Sequence, residues 1–127
     1  MVARGKIMAA LLAMAFVFSG TAFASVGEEL VGNYRGTFIG DDYGSFLVDV
    51  GPDGTITGTV HSNVSYLDME VKGTCAPNGD CEFVTEGEGA LPFYFMGRID
   101  FMNRFIGKWS YTDHSGRGSF YGMIQKE

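Results

Sequence analysis

Phe95-Met96-Gly97-Arg98-Ile99 and, ten residues on, Phe105-Ile106-Gly107-Lys108-Trp109 decide the fold of this chain. Each places a glycine two positions from a large apolar residue on either side. Successive side chains of an extended strand point to opposite faces, so the apolar residues and the glycine share one face. The same form recurs at Tyr34-Arg35-Gly36-Thr37-Phe38, Ile56-Thr57-Gly58-Thr59-Val60, Val71-Lys72-Gly73-Thr74-Cys75 and Phe120-Tyr121-Gly122-Met123-Ile124. Glycine weakens a flat strand and offers nothing to pack, so six such positions need a reason. A closed or strongly curved sheet supplies one: strands bend where a Cβ is missing, and large neighbours fill the vacated space. The intervals between these glycines (22, 15, 24, 10 and 15) vary, which argues against a solenoid of fixed period. The second reading is an open sandwich in which the glycines mark bulges.

Outward from these segments the apolar residues alternate and no stretch keeps a helical period. Turn sequences punctuate the alternation at Gly40-Asp41-Asp42-Tyr43-Gly44, Pro52-Asp53-Gly54, Pro77-Asn78-Gly79-Asp80, Met102-Asn103 and His114-Ser115-Gly116-Arg117-Gly118. The pattern predicts strands over 31–39, 45–51, 55–62, 66–74, 82–86, 93–101, 104–112 and 118–125. This is an all-β, eight-stranded antiparallel meander barrel. Its outward positions include Asp68, Glu70, Lys72, Arg98, Asp100 and Lys108, which a lipid-facing wall would not carry.

The N-terminus reads as an export signal. A basic start with Arg4 and Lys6 precedes the apolar run 7–18 (IMAALLAMAFVF), and Ala22-Phe23-Ala24 forms a small-x-small cleavage site. The run is too short for a membrane-spanning helix, which needs about 20 residues. Residues 1–24 are therefore expected to be removed and 25–127 to fold as one domain in the periplasm or outside the cell, with no membrane span. Seven cations then face fifteen anions, a net charge of −8. That balance argues against nucleic acid and anionic membranes as partners, because both need Lys and Arg to displace counterions. Cys75 and Cys81 bracket the turn Ala76-Pro77-Asn78-Gly79-Asp80, and an oxidising compartment favours their pairing. A metal site fits poorly, because no second Cys or His pair accompanies the two.

Gly36-Thr37-Phe38 followed by Gly44-Ser45 and Phe46-Leu47-Val48, then Pro52-Asp53-Gly54-Thr55-Ile56-Thr57-Gly58-Thr59, is similar to the opening hairpins of the avidin–streptavidin family. Phe95-Met96-Gly97 and Trp109 fall where that family has Trp-x-Gly and a seventh-strand Trp. The resemblance covers most of residues 25–127 and implies the family's secreted eight-stranded barrel. Carried over residue by residue, it implies that Ser45 and Ser62 match two serines that bind the ureido group of biotin, and that Trp109 matches one pocket wall. Its Tyr falls at Val60, its Asn near Gly40 or Asp41, and its last-strand Asp has no counterpart around Ser119 and Phe120. A site built on buried polar partners loses affinity steeply without them, so the same comparison weighs against biotin.

Catalytic chemistry finds little support. His61 and His114 are the only histidines, both read as exposed turn residues, and Asp113-His114-Ser115 cannot form a triad from adjacent positions in one turn. The carboxylates read as a solvated acidic rim, and no calcium-loop spacing is present. No catalytic residue, metal or cofactor is expected, and the chain is not read as an enzyme. The stretch 84–92 (VTEGEGALP) reads as a flexible linker or a lid over the barrel mouth. The first functional reading is a small apolar or aromatic ligand held at one open end by Phe93, Phe95, Trp109 and Tyr111. The alternative is an inhibitor or interaction module for another exported protein, acting through loops with Asp41, Asp42, Tyr43 and 86–88 outermost. Self-association is open to either, with no number fixed. A filled interior favours the second reading and a void above roughly 300 Å³ the first.

Overall fold

A computed structural model describes residues 26–125. The expected export signal, residues 1–24, lies outside them. Eight antiparallel strands form a closed barrel in which each pairs with its sequence neighbours and the last pairs with the first. They are β1 (Gly32–Gly40), β2 (Gly44–Val50), β3 (Thr55–Ser62), β4 (Asp68–Cys75), β5 (Asp80–Glu86), β6 (Phe93–Ile99), β7 (Arg104–Tyr111) and β8 (Arg117–Ile124). The barrel reading holds over the sandwich, and the strand bounds differ from expectation by at most two residues. The main exception is Asp100, which sits in the β6–β7 turn and accepts from Arg104 rather than standing on the outer wall.

Closure depends on the inward glycines. Gly36 of β1 lies opposite Gly122 of β8, and Gly97 of β6 opposite Gly107 of β7. Over the first pair stands the ring of Phe46, whose Cζ would lie 2.6 Å from a Cβ on Gly36 and 2.7 Å from one on Gly122. Phe120 covers the second pair in the same way, 2.8 Å from either added Cβ. Each pair of absent side chains thus makes a slot in which one aromatic ring lies against backbone.

The interior is filled by rings. Phe83 stacks on Phe95 at 4.5 Å between centroids, and Phe46 contacts Phe83, Phe95, Phe105 and Phe120 at 5.6–6.4 Å. One end is plugged by residues 26–31, which fold across it and bury Val26 and Leu30. There Tyr34 donates its hydroxyl to the Leu30 carbonyl at 2.9 Å and accepts from Asn103.

Cys75 and Cys81 stand opposite each other on β4 and β5 and form the disulfide. The loop it closes is short, so the chain-entropy argument gives it about 2.4 kcal/mol. The double variant Cys75→Ser/Cys81→Ser is expected to keep the barrel and lower the urea midpoint by that much free energy, with an unchanged denaturant slope. Exposed charges on the wall, such as Glu70, Lys72, Arg98 and Lys108, face outward at mid-strand, where a lipid-facing barrel needs apolar side chains. Among the described residues no helix is long and apolar enough to cross a membrane.

Candidate functional site

The end opposite the plug carries the connections 41–43, 63–67, 87–92 and 112–116. Their shared anchor is Asp42, whose side chain turns inward and is only 2% exposed. Its carboxylate accepts from the Tyr111 hydroxyl at 2.8 Å and from the Tyr43 N–H at 2.6 Å, while the Ser62 hydroxyl lies 2.9 and 3.0 Å from its two oxygens. Among the described residues no cation pairs with it, so these donors carry its desolvation. Burial, the hydrogen bond to Asp42 and the nearby carboxylates push the Tyr111 phenol up to about 12.

Ser62 works in two directions. While donating to Asp42 it accepts the N–H groups of Val64 and Ser65 at 3.2 and 3.1 Å, which shapes the 63–67 connection. Asn63 donates to the Tyr43 carbonyl, tying that connection to 41–43. Arg117 donates its N–H to the Asp41 carboxylate, and Thr85 accepts the Phe93 N–H, which closes 87–92. Thr112 donates its N–H to the Pro92 carbonyl, so the loops form one hydrogen-bonded unit. The expectation that Asp42 is outermost is corrected: it is the buried hub, while Asp41 and Tyr43 face solvent. Of the stretch 84–92, the first three residues lie in β5, within the strand expected over 82–86, and Ala90 packs against the core.

Held on this unit is Tyr66, 80% exposed and at φ 59°, a left-handed conformation that costs a bulky residue about 1–2 kcal/mol. On the connections of the same end Tyr43, Val64 and Leu91 are also exposed.

The four aromatics expected at the mouth do come together. Phe93 lies 5.0 Å from both Trp109 and Tyr111 between ring centroids, and Phe95 is 5.8 Å from Phe93. Phe93, Phe95 and Trp109 are buried against Phe38, and Trp109 donates its indole N–H to the Ile39 carbonyl at 2.9 Å. Tyr111 alone is half-buried, at the rim. The residues matched to a ureido site do not converge. Ser62 is buried on Asp42, whereas Ser45 points outward and is exposed.

His61 lies near the end of β3, within the strand expected over 55–62, with its side chain on the outer wall rather than in a turn. It stands between Ser45 of β2 and Asp68 of β4, with its Nδ1 2.7 Å from the Asp68 carboxylate. The order Ser-His-Asp resembles a hydrolytic relay, but no hydrogen bond joins Ser45 to His61 among the described residues. The row lies on an exposed wall where strand N–H groups serve the ladder, so no oxyanion site is built. A groove of about 490 Å³ runs over β5 and β6, lined by Ala76, Asp80, Glu82 and Met96 among others; it too lies on the outer wall. No family model and no curated protein matches the chain.

Proposed function

We propose that this protein is a non-enzymatic binding module of an extracytoplasmic compartment that grips another protein through its loop end. The observation that carries the reading is Tyr66: a large aromatic held exposed, in a strained conformation, on loops that the Asp42–Ser62 network fixes in place. Exposed strain of this kind persists where function rewards it, and tyrosine on a rigid support is a common interface anchor. Tyr43, Val64 and Leu91 add apolar area, and Asp41, Glu86 and Glu88 give an acidic surround. The packed ring interior favours this reading over a ligand inside the barrel. The disulfide accords with an oxidising compartment.

Three measurements test it. Tyr66→Gly is expected to leave stability unchanged or raise it by about 1 kcal/mol, since glycine accepts the left-handed conformation freely. A photo-crosslinking residue at position 66 is expected to give a single stoichiometric adduct with another protein in the producing cell, and the same residue at Thr57, on the outer wall, none. Titrating a panel of small apolar and aromatic compounds is expected to leave the fluorescence of Trp109 unchanged. A saturable change there, with no adduct from position 66, would return the function to the barrel interior.

A further inference from the structure

The net negative charge hides a sharp segregation. Every carboxylate carried by a strand lies on β2, β4 or β5, as Asp49, Asp68, Glu70, Asp80, Glu82 and Glu86. The strands β6, β7, β8 and β1 carry none. Those four strands hold five of the six cations among the described residues: Arg98, Arg104, Lys108, Arg117 and Arg35. Arg98 and Arg104 are engaged by Asp80 and Asp100, while the charged side chains of Arg35, Lys108 and Arg117 form no ion pair among the described residues.

Between these cations the same wall exposes apolar side chains. Ile106 of β7 lies opposite Tyr121 of β8, and Met123 lies opposite both Arg104 of β7 and Arg35 of β1. Ile106, Tyr121 and Met123 are 42–47% exposed, and Ile39 is 61% exposed. Successive outward positions of a strand and their cross-strand partners are neighbours, so this is one patch with an apolar centre and a cationic rim. Tyr, Met and Arg around an apolar centre is the composition of protein interfaces.

We infer that this wall is a second docking face, built for a protein partner with an acidic surface. A two-fold copy of this chain is disfavoured there, because it would bring two cation-rimmed walls face to face. A copy docking its acidic β4–β5 wall would not close and would grow into open chains. An anionic bilayer fits less well, since the apolar side chains sit between the cations rather than beyond them, and the adjoining exposed turn of Phe101 and Met102 carries Asp100. Complementary charge on such a face steers encounter and rejects wrong partners. The inference does not rest on the loop-end reading.

The test uses the full exported chain, labelled for amide NMR, and a Glu/Leu amphipathic acidic peptide as the probe. Expected are shifts confined to β6, β7, β8 and β1, weakened at least tenfold in affinity by Arg35→Glu/Lys108→Glu and by raising salt from 50 to 300 mM. Tyr66→Gly is expected to leave this binding unchanged, and the charge-reversed variant to keep the position-66 adduct, which separates the two faces. Three outcomes would overturn the inference: no shifts on this wall, tighter binding to phosphatidylglycerol vesicles than to the peptide, or concentration-dependent self-association through the wall.

Discussion

Gly36→Ala is expected to destabilise the barrel by about 3 kcal/mol or more, a large part of the 5–15 kcal/mol that holds a domain of this size. The added methyl would meet the Cα of Gly122 at 2.5 Å and Cζ of Phe46 at 2.6 Å. The ring could turn aside, but the facing backbone cannot move without parting β1 from β8, the pair that closes the barrel. The two contacts are separable. Shrinking the ring with Phe46→Leu costs stability alone, yet in the Gly36→Ala background it is expected to give back about 1 kcal/mol, a coupling readable in a double-mutant cycle of denaturation midpoints. Thr37→Ala, one residue away on the outer face, is expected to change stability by no more than about 0.5 kcal/mol. A Gly36→Ala protein as stable as its parent would mean that the two strands do not approach as closely as described.

The same glycines explain why the fold is legible in the sequence alone. A curled sheet needs gaps on its inner face, and alternation states which face that is; six apolar-x-Gly-x-apolar segments supply both facts locally. Strand ends were legible for the same reason, since Pro52-Asp53-Gly54 and Asn78-Gly79-Asp80 specify their turns within a few residues. What the rings of Phe93, Phe95 and Trp109 enclose was not legible. Whether inward aromatics leave a cavity or fill it depends on the barrel's radius and on how rings from opposite walls interlock, and Phe38 and Phe46 reach them from across the interior. Asp42 was hidden for a similar reason. In sequence it is one of two adjacent turn carboxylates, and the partners that distinguish it from Asp41 lie 20 residues away at Ser62 and 69 away at Tyr111. Net charge misled in another way: a sum over the chain cannot show that its cations gather on four adjoining strands.

Asp42→Ala is expected to cost about 3 kcal/mol and to loosen the loop end as a whole, because hydrogen bonds to a buried charge contribute about 1.5–3 kcal/mol each and their donors would be left unpaired. Asp42→Asn keeps an acceptor for one of them and is expected to cost about half as much. The cause is visible in Tyr111. Its phenol is raised to about 12, first by burial and then by the hydrogen bond and charge of Asp42, so the folded state holds that proton more tightly than the unfolded chain, where it titrates near 10. The stabilisation is therefore complete below about pH 10 and is lost as the pH climbs from 10 towards 12. In Asp42→Asn burial remains but the charge is gone, so ionisation of Tyr111, followed by the ¹³Cζ resonance of its ring, is expected to move down towards 10. The alkaline loss of stability, which still begins near pH 10, is then expected to end sooner and be smaller. Tyr111→Phe removes the titration and should flatten that part of the pH profile. An unaltered Tyr111 titration in Asp42→Asn would show that the carboxylate does not hold the phenol, and the rigid support on which Tyr66 is displayed would then need another origin.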